Sequence, residues 1–306
     1  MFLSIIGSLL LGLVWLKFFR KIDSFEPESW KATFLCLGMG AVSPLLLEPL
    51  VGLSPFLKNL DQKSTGGDLL QFALFRVAAL EELVKILPFI LVLNITNWVD
   101  ESVDYIKYPA LSALGFATIE NMIYAHSYGV DVLHIRGILC VSGHIFYTAL
   151  PGYFYWISRN KSMQTRILYS ISGYSIGLLS HGFYDYFIFE DQNSGTTLGI
   201  LSVLLCVGFM YAFKRMIVET IRKSHFYNPL VLAKIYSAGY SLFWGLTGIF
   251  VFIGIALGIE NGNIASSFAY WLENGLFALV GIAILYGLLA IDTKDVVSQK
   301  EDAERW

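Results

Sequence analysis

Long apolar runs alternate with short polar connections over almost the whole chain. As helices, these runs are long enough to cross the hydrocarbon core of a bilayer, which is about 30 Å thick. Open sheets cannot span a bilayer, because their unpaired backbone groups would face lipid. The pattern therefore predicts an all-α, polytopic integral membrane protein with about nine transmembrane helices. The predicted segments cover roughly residues 2 to 16, 32 to 57, 69 to 93, 108 to 128, 137 to 157, 167 to 189, 195 to 213, 235 to 258 and 265 to 291.

The composition agrees with this pattern, since 56% of the residues are hydrophobic and only 15% are charged. Such values are not typical of a soluble domain. No connection is long enough to form a soluble domain, so we expect one membrane domain over residues 1–306. Residues 214–234 are predicted to lie at the cytoplasmic membrane surface, and residues 292–306 to form a solvated cytoplasmic tail.

The distribution of lysine and arginine predicts the orientation of the chain. The odd-numbered connections and the C-terminal tail together hold 16 of these residues, whereas the even-numbered connections hold 3. Cytoplasmic connections carry an excess of positive charge. We therefore expect the N-terminus outside and the C-terminus in the cytoplasm.

Two adjacent acids and a lysine, Glu81, Glu82 and Lys85, lie inside the third apolar segment. On a helix, Lys85 can pair with Glu81 at i,i+4 or with Glu82 at i,i+3, which leaves the other carboxylate for a different partner. Charge is expensive inside a bilayer. A spare buried acid here predicts a functional site.

Segments four to six carry further polar residues at matched depths. A helix rises about 1.5 Å per residue, so the predicted topology brings these side chains into one band in the outer half of the bilayer. Four successive helices can pack around a common point. The residues are Glu120 and Asn121 in segment four, His144 and Thr148 in segment five, and His181 and Asp185 in segment six.

His181 and Asp185 are spaced i,i+4 and face the same side of their helix. We expect Asp185 to accept a hydrogen bond from one ring nitrogen and fix the tautomer. The other ring nitrogen would then be available to substrate, water or a metal.

The apolar segments hold six acids and two bases. The bases are Arg76 and Lys85, and the acids are Glu48, Glu81, Glu82, Glu120, Asp185 and Glu273. A dry membrane interior does not tolerate this excess of negative charge. We expect water, protonated carboxyls or a bound cation to balance it. Glu48 is a candidate to line a substrate entrance.

Taken together, four motifs on successive segments resemble those of the PrsW family of intramembrane proteases, and more distantly those of the type II CAAX prenyl endopeptidases and other glutamic membrane proteases. The resemblance covers about residues 70–190. The motifs are Glu81-Glu82-x-x-Lys85, Phe116-x-x-x-Glu120-Asn121, His144-x-x-x-Thr148 and His181-x-x-x-Asp185.

The resemblance implies an intramembrane endopeptidase of a bacterial cell membrane. Its substrate would be a membrane-embedded or membrane-adjacent protein, such as a single-span anti-sigma factor. Glu120 stands where the prenyl endopeptidases typically have a histidine, and Asp185 where their last motif has an asparagine. A prenylated substrate is therefore not expected.

Peptide hydrolysis requires a nucleophilic water, a general base and donors for the oxyanion. We expect Glu81 or Glu82 to act as the base, with Lys85 orienting the pair. His144 would help to hold the water, and His181 would stabilise the oxyanion. Glu120 and Asn121 would complete the water site or polarise the substrate. We expect Glu120 and Asp185 to belong to the catalytic residues, and Lys85, Asn121, Phe116 and Thr148 to support them.

A metal-dependent alternative uses the same residues as zinc ligands. The helical HExxH signature is absent, and an adjacent Glu-Glu-x-x-Lys does not require a metal. We therefore favour metal-independent catalysis and keep zinc as the alternative cofactor. The candidate ligands are His144, His181, Glu81, Glu82, Glu120 and Asp185.

Two non-enzymatic alternatives stay open. A proton- or cation-coupled transporter would also place acids and histidines in the membrane. It would spread them through the whole thickness, whereas the cytoplasmic halves of segments four to six are apolar and aromatic. The other alternative is a membrane scaffold with an inactive site. We expect the bilayer and a protein or peptide substrate as partners, and no nucleic acid.

Overall fold

The computed structural model describes residues 1–292 and residue 296. Its regular elements are all helical, and the described residues contain no strand, which confirms the all-α prediction. Most of the predicted tail, residues 292–306, lies outside the described part of the chain. The helices are α1 (Phe2–Ile22), α2 (Trp30–Val42), α3 (Leu47–Gly52), α4 (Pro55–Asn59), α5 (Gly66–Gln71), α6 (Ala79–Ile95), α7 (Asp104–Tyr128), α8 (Val132–Ile135), α9 (Val141–Ile157), α10 (Met163–Ser194), α11 (Gly199–Arg222), α12 (Leu232–Glu260) and α13 (Ile264–Leu289).

Tighter and wider helical turns join some of these elements. The 3₁₀ segments are Ser43–Leu46 and Pro229–Val231. Two π-helical segments, Phe72–Ala78 and Arg136–Cys140, lead directly into α6 and α9. Helix α11 continues to Arg222, so the predicted extension of the seventh helix into residues 214–234 is present, while its position at the membrane surface stays a prediction.

Six helical stretches, rather than nine, are long and apolar enough to cross a membrane among the described residues. The other three predicted segments are helical too, in α6, α7 and α10. They contain three of the four polar motifs, which lower their hydropathy. The six stretches are Phe2–Ile22, Trp30–Gly52, Val132–Ile157, Gly199–Arg222, Pro229–Glu260 and Ile264–Leu289.

The chain forms two compact units. The first comprises residues 1–28, 117–142 and 213 onward, and the second comprises residues 29–116 and 143–212. The prediction of one membrane domain stays a prediction, because two compact units of one chain need not fold separately.

In the second unit, glycines let α10 approach α9 closely. A Cβ at Gly173 would lie 2.7 Å from the Leu150 carbonyl oxygen, and one at Gly177 would lie 2.5 Å from the Tyr147 carbonyl oxygen. Small residues four apart allow helix backbones to meet in this way. The next position on the same face of α10 is His181, so this crossing brings its ring towards α9.

We expect Gly177→Ala to destabilise the protein by about 1–3 kcal/mol, because the added methyl group would overpack a backbone contact. Gly208→Ala is the matched control, since a Cβ there meets nothing within 4 Å. Thermal unfolding in detergent should show a lower midpoint for Gly177→Ala and an unchanged or higher midpoint for the control. Equal midpoints for both variants would contradict the close crossing.

Candidate active site

Lys85 lies at the centre of a buried polar cluster in the second unit. Its side chain is fully buried, and Nζ lies 2.8 Å from Glu81 Oε2, 3.1 Å from Glu82 Oε1 and 2.8 Å from His144 Nδ1. An ammonium group has three protons and cannot accept, so Nδ1 of His144 accepts and the neutral ring carries its proton on Nε2. The Phe116 ring covers the ammonium, with its centroid 4.1 Å from Nζ, in a cation–π contact.

The helical spacing predicts that Lys85 pairs with one acid and leaves the other for a different partner. In the structure Lys85 pairs with both. Glu82 nevertheless has the additional partners that were expected for a spare acid, because its two oxygens also accept hydrogen bonds from α9 and α10.

Glu82 joins three helices. Its side chain is almost completely buried. Besides Lys85, Oε1 lies 2.9 Å from His181 Nδ1, and Oε2 accepts a hydrogen bond of 2.6 Å from the Thr148 hydroxyl. Both oxygens are therefore engaged. This set of contacts suits a residue that positions the helices around the site.

His181 lies between carboxylates on both sides of its ring. Nε2 lies 3.3 Å from Asp185 Oδ2, so the i,i+4 contact expected from the sequence is present. The expectation that the other nitrogen is open to substrate, water or metal is wrong, because Glu82 contacts Nδ1. The ring also stacks on Tyr147, with centroids 5.0 Å apart.

Glu81 is the acid of the pair that lines a cavity. The cavity has a volume of about 390 Å³, and Glu48 lines it as well. The role of Glu48 as an entrance residue stays a prediction, but Glu48 and Glu81 line the same cavity. Other polar or aromatic residues on its walls are Asp61, Gln62, Phe72 and Arg76.

The π-helical segment Phe72–Ala78 immediately precedes the two acids. Segments of this kind are rare and occur frequently at functional sites. Phe72 and Arg76 lie on this segment and line the same cavity as Glu81. Arg76 is held there, because Nη1 donates a hydrogen bond of 2.7 Å to the Leu60 carbonyl oxygen.

Glu120 and Asn121 belong to the first unit, where both contact Arg136. Arg136 Nη2 lies 2.6 Å from Glu120 Oε2, and Nε donates a hydrogen bond of 2.6 Å to Asn121 Oδ1. The guanidinium also lies 3.8 Å from the centre of the Tyr124 ring. Glu120 thus has a basic partner that the sequence analysis missed.

Two buried residues that contact motif residues, one in each unit, were not predicted. Arg136 directly precedes the fifth predicted segment and was counted with a connection, whereas the structure buries it in the helical stretch Val132–Ile157. Tyr147 follows His144 by three positions. That spacing places both side chains on the same face of a helix, which is the signal that could have identified it.

Three residues of the cluster offer donors that suit a metal. Potential ligand atoms of Glu81, His144 and His181 lie within 4.8 Å of one another. Two histidines and one glutamate are a known zinc ligand set, so the donor types fit zinc. Lys85 contacts two of these residues, so a positive group already lies beside the same donors.

The sequence pattern of the family described as "PrsW family intramembrane metalloprotease" matches residues 26–213. The chain belongs to the PrsW family. The match includes all four motifs, whereas α12 and α13 lie outside it. It confirms the resemblance found in the sequence and supports an intramembrane protease activity. PrsW family membership does not decide between glutamic and metal-dependent catalysis.

Curated members of the PrsW family share modest identity with this chain. The Protease PrsW of Bacillus subtilis is 28% identical over 197 residues, which cover 63% of this chain and 86% of that protein. The Protease PrsW of Clostridioides difficile is 29% identical over 217 residues, or 67% and 86% of the two chains. The Protease PrsW of Geobacillus kaustophilus is 30% identical over 133 residues, which cover 44% of this chain and 59% of that protein. No solved structure matches this chain significantly.

Proposed function

We propose that this PrsW-family chain is an intramembrane endopeptidase in which Glu81 is the general base that activates water. The observation that carries the assignment is that Glu81 both contacts Lys85 and lines the cavity. A general base must reach the water from which it takes a proton. Glu82 has its two oxygens engaged by Lys85, His181 and Thr148 and does not line that cavity.

The histidines supply the other parts of the reaction. His144 contacts Lys85 through Nδ1, which places its ring beside the proposed base, where it would help to hold the water. His181 is held between Glu82 and Asp185, and its Nε2 lies 4.0 Å from Glu81 Oε2, so its ring lies beside the proposed base. Asp185 positions this ring.

We favour catalysis without a metal, because Lys85 already provides a positive charge between Glu81 and His144. In the alternative, Glu81, His144 and His181 would hold zinc. Bound zinc would act as a Lewis acid and promote ionisation of its water.

The substrate that this arrangement favours is a single-span membrane protein, of the kind represented by an anti-sigma factor. Helices α6, α7 and α10 would then cross the bilayer together with the six apolar stretches. The site would open towards the outer half of a bacterial cell membrane, with the N-terminus outside and the C-terminus in the cytoplasm. The acidic residues on the cavity wall would be in contact with water, which relieves the excess of negative charge.

The test is cleavage of a panel of single-span membrane peptides by the purified protein in liposomes, with and without a strong chelator. Glu81→Gln is the inactive control. Cleavage that survives chelation in the wild type supports the proposal. Loss on chelation with recovery on addition of zinc would contradict metal independence. Proton or cation flux through the same liposomes without any cleavage would support the transporter instead.

Glu48 offers a prediction about substrate entry. We expect Glu48→Gln to raise KM about three-fold to ten-fold with kcat changed less than about two-fold, because loss of an entrance contact weakens the binding of the substrate and of the transition state equally. The matched control is Glu273→Gln, which removes another acid from an apolar segment outside the cavity. Steady-state kinetics with one cleaved peptide would measure both constants. A fall in kcat with constant KM would contradict the entrance role.

A further inference from the structure

A second and larger cavity lies in the first unit, between α1 and α12, and the proposed protease chemistry does not use it. Its volume is about 650 Å³. Most of its wall is apolar, and a few polar groups lie at one end of it. The apolar wall includes Leu10, Leu13, Val14, Ile249 and Phe252.

Two lysines lie at the polar end. Lys17 and Lys21 are one turn apart on α1, and both line the cavity. Like charges at i,i+4 destabilise a helix, and neither lysine forms an ion pair with the residues that the structure describes. Lys21 is held in place, because Nζ donates to the Ser237 carbonyl oxygen at 3.2 Å and to its hydroxyl at 2.9 Å. An anion beside both lysines would offset their repulsion.

Polar and aromatic groups of α12 complete the same end. Ser241 follows Ser237 by one turn, and its buried hydroxyl oxygen has no hydrogen-bond partner within the described part of the chain. Tyr240 and Trp244 also line the cavity and are more than half exposed. Tyrosine and tryptophan are enriched at the level of lipid headgroups.

The length of the lined part of α1 matches a lipid chain. From Leu10 to Lys21, α1 rises about 16 Å, which is close to half of the roughly 30 Å hydrocarbon core. An acyl chain that follows this wall would therefore extend through about one leaflet.

We propose that the cavity between α1 and α12 binds one anionic phospholipid, with its phosphate at Lys17 and Lys21 and an acyl chain along the apolar wall. Basic pockets between transmembrane helices bind anionic headgroups. The buried hydroxyl of Ser241 is placed to donate to a headgroup oxygen. The preference for anionic lipid comes from the lysines, and the affinity common to all phospholipids comes from the apolar wall.

Brominated lipids provide a direct test, because bromine quenches a nearby tryptophan. Delipidated protein is titrated with brominated phosphatidylglycerol or brominated phosphatidylcholine, and the quenching lost in Trp244→Phe is assigned to this cavity. Two lysines near the headgroup predict about 30-fold tighter binding of phosphatidylglycerol. The double variant Lys17→Gln/Lys21→Gln should reduce this preference to about two-fold or less. The control Lys58→Gln/Lys63→Gln removes the same charge from exposed positions and should keep the preference.

A second variant tests the apolar part. A Cβ at Gly248 meets nothing within 4 Å, so Gly248→Leu can fill the cavity without a backbone clash. We expect it to weaken the binding of both lipids about ten-fold. Gly275→Leu, at an equally open position of α13, should weaken the binding of neither. Equal affinity for the two lipids would overturn the proposal, as would a preference that survives the double lysine variant. Displacement of the lipid by millimolar inorganic phosphate would also overturn it, since a free anion would then suffice.

Discussion

Glu81→Gln is expected to lower kcat for peptide cleavage by about 10³-fold, within the range of 10²–10⁴ typical of general acid–base catalysis. Glutamine retains an oxygen that accepts from Lys85 Nζ, so the fold should persist, but it cannot take a proton from water. Steady-state cleavage of a single-span peptide measures the effect, and thermal unfolding checks that the variant is folded.

Glu82→Gln separates the roles of the two acids. It replaces a carboxylate that accepts from Lys85, His181 and Thr148, so we expect a lower unfolding midpoint as well as reduced cleavage. If folded Glu81→Gln still cleaves and folded Glu82→Gln does not, the base is Glu82 and the assignment from the cavity is wrong.

Lys85→Met is expected to destabilise the protein by about 3–5 kcal/mol, because removal of one partner leaves buried charge uncompensated. The ammonium contacts two carboxylates and is fully buried, whereas methionine has a similar length and no charge. Cleavage should be lost together with stability. Chemical unfolding in detergent gives the free energy, and the peptide assay gives the activity.

Lys223→Met is the matched control for Lys85→Met. Lys223 also forms an i,i+4 pair, with Glu219, but half of its side chain is exposed. An exposed pair contributes less than about 1 kcal/mol. Equal losses of unfolding free energy in the two variants would show that the buried pairs of Lys85 stabilise the protein no more than an exposed pair does. A stable and active Lys85→Met enzyme would contradict its central role.

Contacts within one helix were predictable from the sequence. The spacing of Glu81, Glu82 and Lys85 indicated their pairing, and the spacing of His181 and Asp185 indicated theirs. Such pairs follow from helix geometry alone. The family motifs then placed these residues in one site before any distance was known.

Contacts between helices were not predictable in the same way. The bond from Lys85 to His144 and that from Glu82 to His181 depend on how α6, α9 and α10 cross. That crossing depends on backbone contacts at Gly177, which no periodicity reveals. The choice between Glu81 and Glu82 was open for the same reason, since it rests on which acid lines a cavity.

The π-helical segment before Glu81 also sets the angular register of the cavity wall. An α-helix turns about 100° per residue, so the nine residues from Phe72 to Glu81 would place the two side chains about 180° apart. The i→i+5 bonding of Phe72–Ala78 slows this rotation, and both side chains line one cavity. If the same nine steps were wound as regular α-helix, the wall formed by Phe72 would turn away from Glu81, with every motif residue still in the chain.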